Sequence, residues 1–135
     1  MEREYPVPEM PDYFVNEAGQ VISRKHGKRR VLKTLYREAR AGRGREQVCF
    51  TVITDDGYKK ITKLVQQVVC AAKYGRWAEP WEQVRHLDSN KRNNRMDNLS
   101  YGCAVLNMID DIENGSRQTS PEYIREAIER LKRLL

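Results

Sequence analysis

The stretch Val84-Arg85-His86-Leu87-Asp88-Ser89-Asn90-Lys91-Arg92-Asn93-Asn94-Arg95-Met96-Asp97-Asn98-Leu99 is the most informative in the chain. It holds one of only two histidines and, between residues 90 and 98, four asparagines. Glu82 to Leu87 is short and strand-like. Asp88 to Asp97 is polar, with Met96 its one apolar side chain, and reads as a long loop. Asn98 to Tyr101 is a second short strand. Gly102 to Asn114 then changes period: Val105, Leu106, Ile109 and Ile112 form the apolar stripe of a helix closed by Asn114-Gly115. The order is strand, polar loop, strand, helix, with a histidine at the mouth of the loop and Asn107 on the helix.

Working outward, Thr62 to Tyr74 reads as a helix with a wide apolar face (Leu64, Val65, Val68, Val69, Ala71, Ala72) ended by Gly75. Trp77-Ala78-Glu79-Pro80-Trp81 follows as a rigid connector. Upstream, Gln47 to Thr54 is a strand, with Val48, Phe50 and Val52 on one face and Cys49, Thr51 and Ile53 on the other. An Asp55-Asp56-Gly57 turn and a return strand from Tyr58 to Ile61 complete a hairpin. Tyr13-Phe14-Val15, a turn at Asn16-Glu17-Ala18-Gly19 and Gln20 to Ser23 predict a smaller hairpin, after an extended segment carrying Pro6, Pro8 and Pro11. Ser120-Pro121-Glu122 opens a last helix with the stripe Ile124, Ala127, Ile128, Leu131, Leu134, Leu135.

At 135 residues the chain is long enough for one modest core. Its net charge of +6 is unevenly spread. Residues 24–45 hold Arg24, Lys25, Lys28, Arg29, Arg30, Lys33, Arg37, Arg40, Arg43 and Arg45 against a single acid, Glu38. Such a block is the footprint of a polyanion partner; an ordinary solvated basic face, or a patch for an acidic protein or lipid, is the plainer alternative. Arg40 to Gly44 is expected to be an exposed loop. Cys49, Cys70 and Cys103 form no Cys-x-x-Cys pair, so no zinc site is expected, and they read as reduced, mostly buried residues of a cytoplasmic protein. No membrane span or signal peptide is expected. A histidine able to act near neutral pH, set among hard oxygen donors in a basic chain, suits metal-assisted hydrolysis of a phosphodiester.

The residues Val84-Arg85-His86-Leu87-Asp88-Ser89-Asn90, Asn93-Asn94-Arg95, Asp97-Asn98-Leu99-Ser100-Tyr101-Gly102 and Asn107 resemble the HNH endonuclease family, most closely its homing-type and phage-encoded members. Pro11 to Ser23 looks like the small module that often precedes this core, so the likeness runs over residues 11–115. It implies an α+β fold: a small antiparallel sheet region, a ββα-metal (His-Me) finger and a C-terminal helix. The expected units are 1–60, a β-rich DNA-binding module with its basic arm at 24–45; 61–115, a bridging helix with the HNH core; and 116–135, an amphipathic helix that packs on the domain or pairs with a second copy. A monomer and a homodimer both remain open.

The resemblance implies a metal-dependent DNA endonuclease or nickase leaving a 5′ phosphate and a 3′ hydroxyl. His86 would be the general base and Asn98 would hold the loop and orient the histidine. Asn107 would bind a divalent metal, Mg²⁺ or Mn²⁺, and Asp110, three residues on, could share its helix face. Asn90, Asn93 and Asn94 read as loop formers. The basic segment with Lys91, Arg92 and Arg95 would track the phosphates of double-stranded DNA, in the cytoplasm of a bacterium or phage-infected host. Four positions depart from the family pattern. Arg85 stands where many members have Asp or Asn as metal ligand, and is expected instead to hold the scissile phosphate. Thr62-Lys63 replaces His-Arg, Cys103 replaces Thr and Leu106 replaces Glu. A fold that has lost cleavage and serves as a DNA-binding regulator or partner-binding protein is the alternative. An RNA-binding domain is a weaker one, lacking the aromatic stacking pattern.

Overall fold

A computed structural model describes residues 3–37, 44–115 and 121–133. The described residues form a mixed α/β fold of three small antiparallel sheets and few helices. The first sheet joins β1 (Glu4–Pro6), β2 (Tyr13–Asn16), β3 (Val21–Ser23) and β4 (Arg30–Val31) in that order. Pro6 is tolerated because β1 is an edge strand and needs no second ladder of amide donors. The second sheet joins β5 (Leu35–Arg37), β6 (Arg45–Thr54) and β7 (Gly57–Leu64). The third is the pair β8 (Gln83–His86) and β9 (Leu99–Gly102), with His86 opposite Leu99.

The helices are α1 (Val65–Tyr74), α2 (Ala104–Glu113) and α3 (Pro121–Lys132). Helix α1 begins three residues later than the apolar pattern suggests. Thr62, Lys63 and Leu64 instead continue β7, paired with Cys49, Val48 and Gln47. The β-branched Ile61 and Thr62 and an unbroken ladder hold the chain extended as far as the Leu64–Gln47 pair. Gly75 ends α1 in the left-handed conformation. The hairpin turn is Asp55-Asp56 alone, and Gly57 already pairs with Thr54.

One buried cluster joins the first two of the three expected units. Val7 and Met10 from the β1–β2 connection and Tyr13, Val15 and Val21 from the first sheet meet Val48 and Phe50 from β6, Val65, Val68, Val69 and Cys70 from α1, Met96, and Leu99 of β9. Tyr13 ties the sheets together: its ring meets Phe50 edge-on at 4.8 Å, and its hydroxyl donates to the Thr51 carbonyl at 3.1 Å. Of the cysteines, expected to be mostly buried, only Cys70 is. Cys49 is exposed on the outer face of β6, Cys103 is half-buried, and all three are free. Gly44, expected in an exposed loop, is buried against Tyr36. Arg40, Arg43 and the rest of that loop up to residue 43 lie outside the described residues, as do Ser120, Leu134 and Leu135. No helix among the described residues is long and apolar enough to cross a membrane.

Candidate active site

The site is built on the β8–β9 hairpin, with α2 packed against β8. Strand alternation sends successive β8 side chains to opposite faces. His86 points inward and is 1% exposed; Arg85 points the other way, against α2. The polar loop between the strands is held by its own side chains. Asn98 accepts from the Asp88 amide through Oδ1 at 3.1 Å, and its Nδ2 donates to Asp88 Oδ1 and to the Asn93 carbonyl, both at 2.9 Å. Asn93 Nδ2 and the Asn90 amide also donate to the Asp88 carboxylate, each at 2.8 Å. Burial works against the Asp88 charge, but these donors together keep its pKa below the ordinary carboxylate value. Lys73 on α1 donates to the Met96 and Leu99 carbonyls at 3.0 and 2.6 Å, anchoring the far end. Asn98 thus sits where a residue that holds the loop must sit, and Asp88 is the hub of the same network.

The imidazole of His86 is oriented by a different asparagine. Its Nε2 lies 3.0 Å from Asn94 Oδ1. An amide oxygen only accepts, so Nε2 carries the hydrogen and Nδ1 carries the lone pair. Nδ1 is buried and without a hydrogen-bond partner. Burial pushes the His86 pKa below 6.5, opposed by the Asn94 bond; Lys91 and Arg45 push further down, and Asp88 pushes back. A neutral imidazole with a bare nitrogen is what a general base requires. Asn94, read from the sequence as a loop former, is itself buried.

Asn107 is half-buried on α2. Its Nδ2 donates to Gln83 Oε1 at 3.4 Å, while its Oδ1 is buried and without a partner. With His86 Nδ1, it is one of two buried side-chain polar atoms left unpaired among the described residues, each at a cost of roughly 1–3 kcal/mol. Asp110, one turn on, is engaged: Arg85 Nε and Nη2 donate to its two oxygens at 2.7 and 2.8 Å, a bidentate pair only 12–19% exposed. This pairing raises the Arg85 pKa. Among the described residues, no cluster of three or more His, Cys, Asp or Glu side chains forms a metal cage. A hard divalent cation therefore finds one free oxygen donor in Asn107 and a second in Asp110 only when Arg85 lets go.

A groove of about 460 Å³ opens beside Asn107, lined among others by Arg45, Lys63, Trp77, Gln83 and Lys91. Its cations make it suited to a phosphate-bearing ligand. The other expected basic residues divide into two groups. Arg24 and Arg29 are committed to Glu4 at 2.8 and 3.2 Å, and Lys25 donates to the Thr51 carbonyl. Lys28, Arg30, Lys33 and Arg37 are exposed. Arg92 lies over the Tyr36 ring at 3.9 Å, and Arg95 is exposed beside Asp97.

Residues 63–103 match the family model for HNH endonucleases. They carry β8, the polar loop and β9. No curated protein sequence matches the chain. Among solved structures, the fold is similar to one describing DNA binding and cleavage by the HNH homing endonuclease I-HmuI, with a TM-score of 0.53 and 24% sequence identity. The match covers 89% of this chain and 63% of that one, so the chain spans less than two thirds of its relative's length.

Proposed function

We propose that the protein is a metal-dependent HNH DNA endonuclease or nickase, of phage-encoded or homing type, with a ββα-metal finger formed by β8, β9 and α2. The observation that carries this reading is His86: buried, neutral, its Nε2 engaged and its Nδ1 bare. Nδ1 takes the proton of the water that attacks phosphorus, a role that contributes roughly 10²–10⁴-fold. The Asp88 carboxylate, part of the same loop, favours the imidazolium that results. Asn98 holds the loop that presents the histidine.

The orphaned Oδ1 of Asn107 fits a divalent cation, Mg²⁺ or Mn²⁺, with Asp110 as the further donor. Such a cation supplies stabilisation for the charge that grows on the phosphate and the leaving 3′ oxygen. The Arg85–Asp110 pair uses Nε and Nη2. Releasing Asp110 to the cation would free both nitrogens for a scissile-phosphate oxygen. The groove cations Arg45, Lys63 and Lys91 would track a DNA backbone, and the exposed cations of residues 28–37 would extend that track. The α3 helix lies against α2, with Lys132 Nζ 4.0 Å from Glu113, which supports packing on its own domain and a monomer that nicks.

Supercoiled plasmid incubated with Mg²⁺ or Mn²⁺ tests the reading. Wild type is expected to nick or cut; His86→Ala and chelator are each expected to abolish it. The Arg85–Asp110 pair favours a second reading, because it occupies the carboxylate one turn from Asn107: a DNA-binding regulator that no longer cleaves. That reading predicts binding indifferent to chelator and no product with either metal.

A further inference from the structure

Asn94 stands outside the His86–Asn98–Asn107 set, yet it is the only side chain hydrogen-bonded to the imidazole among the described residues. We propose that Asn94 is a positioning residue that fixes His86 in the tautomer with Nδ1 bare, and that the N-terminal sheets hold it there through Glu46 and the Glu17–Gly19 turn. The proposal rests on the endonuclease reading only for its catalytic consequence.

An amide has an accepting end and a donating end, and turning it over would set two hydrogens against Nε2. The Asn94 Nδ2 end faces the Glu46 carboxylate at 3.5 Å. That bond is long, but a carboxylate so placed repels the amide oxygen and attracts the amide hydrogens. Oδ1 is thereby turned to the imidazole, and its lone pairs disfavour a bare Nε2. The hydrogen is held on Nε2, away from the nitrogen that must accept.

The backbone beneath Asn94 is clamped as well. Gly19 approaches so closely that a Cβ there would stand 2.2 Å from the Asn94 carbonyl oxygen, and the Met96 amide donates to the Glu17 carbonyl at 3.0 Å. Glu46 is carried by β6, opposite Tyr36 of β5, and Arg92 covers the Tyr36 ring. The first sheet thus fixes the height of the loop, while the second fixes the direction of the amide. Lys91, Arg45 and Asp88 are the charged groups that also act on His86; none of them is hydrogen-bonded to the ring.

Ring-nitrogen ¹H–¹⁵N NMR of the full chain, recorded above pH 6.5 where His86 is neutral, reads the tautomer directly. The chain has two histidines, so a His26→Gln variant assigns the His86 signals. Wild type is expected to show a protonated Nε2 and an unprotonated Nδ1. In Asn94→Leu, both nitrogens should move toward the values of mixed tautomers. Should Asn94→Leu fail to fold, Glu46→Ala removes only the carboxylate that turns the amide and is expected to populate the second tautomer. A protonated Nδ1 in wild type overturns the proposal. So does an unchanged pattern in Asn94→Leu, or in Glu46→Ala where that variant stands in. In the plasmid assay, Asn94→Leu should cut roughly 10–100-fold more slowly. If wild type never cuts while the tautomer follows Asn94, the endonuclease reading fails and the positioning role stands.

Discussion

His86 is the residue whose environment says most about chemistry, and its pKa direction gives a pH prediction. The folded imidazole binds its proton less tightly than an exposed one, chiefly because it is buried. Cleavage should therefore reach its plateau by about pH 6.5 and fall tenfold per unit only below the lowered pKa, in a rate profile taken with saturating metal. The same shift makes stability pH-dependent. Between the folded and unfolded values the unfolded chain holds more protons, so stability is complete above pH 6.5 and falls as pH drops toward the folded pKa. Urea midpoints on either side of that window should differ for wild type and less so for His86→Gln; equal shifts would remove His86 as the cause. At Arg85 and Asp110 the prediction concerns both stability and metal. Removing Asp110 leaves a largely buried guanidinium unpaired and should cost about 2 kcal/mol, below the figure for a fully buried pair because this one keeps some solvent. Arg85→Ala frees the carboxylate instead, and calorimetry should find tighter Mn²⁺ binding than in wild type. His86 and Asn98 are singled out in the sequence by its resemblance to the HNH pattern. Asn94 is not, since four loop asparagines look alike until one is seen against the ring. Nor is the Arg85–Asp110 pair legible, because it joins residues 25 apart through the packing of α2 on β8.

Elements are legible where period and punctuation agree, and shift where two signals compete. Gly75 and Asn114-Gly115 close their helices where the sequence places the stops. The start of α1 moves because apolar spacing cannot report that β6 still offers a partner to residues 62–64. Helix α2 starts at Ala104, two residues past the Gly102 that the sequence suggests, because Gly102 still pairs with Gln83, and that start is poorly made. Cys103 occupies its N-cap with extended geometry and no side-chain cap bond. Cys103→Ser should add the missing acceptor and stabilise the protein by about 0.5–1 kcal/mol, read as a higher denaturant midpoint with an unchanged slope. The Glu17–Gly19 turn makes the opposite point. Gly19 has φ +85°, and a Cβ would strike the loop that bears Asn94. Gly19→Ala should cost roughly 2 kcal/mol through backbone strain and that clash together. It should also slow cleavage at temperatures where the fold is intact; a loss that only tracks unfolding would show that the turn does not position the site.

Across the whole molecule, the pieces that look separable in sequence share one core, and the basic block does not act as a block. Phe50 and Val15 are buried with Val68 and Leu99, so the β-rich half and the half that carries β8 and β9 share one core around α1. The charge count of residues 24–45 is legible in the sequence; its partition is not, since Glu4 lies twenty residues before Arg24 and captures both Arg24 and Arg29. This partition has a measurable consequence for DNA binding. Each cation that neutralises a phosphate contributes about −0.9 to the slope of log affinity against log salt. Arg24 is already neutralised within the chain, whereas Lys33 and Arg37 are exposed. Lys33→Ala and Arg37→Ala should each flatten the slope by roughly 0.9 for every phosphate they leave without its cation, while Arg24→Ala should change it little. Equal flattening by all three would mean that Glu4 releases its arginines on DNA, and that the acidic residue is a gate on the basic surface instead of a fixed part of the first sheet.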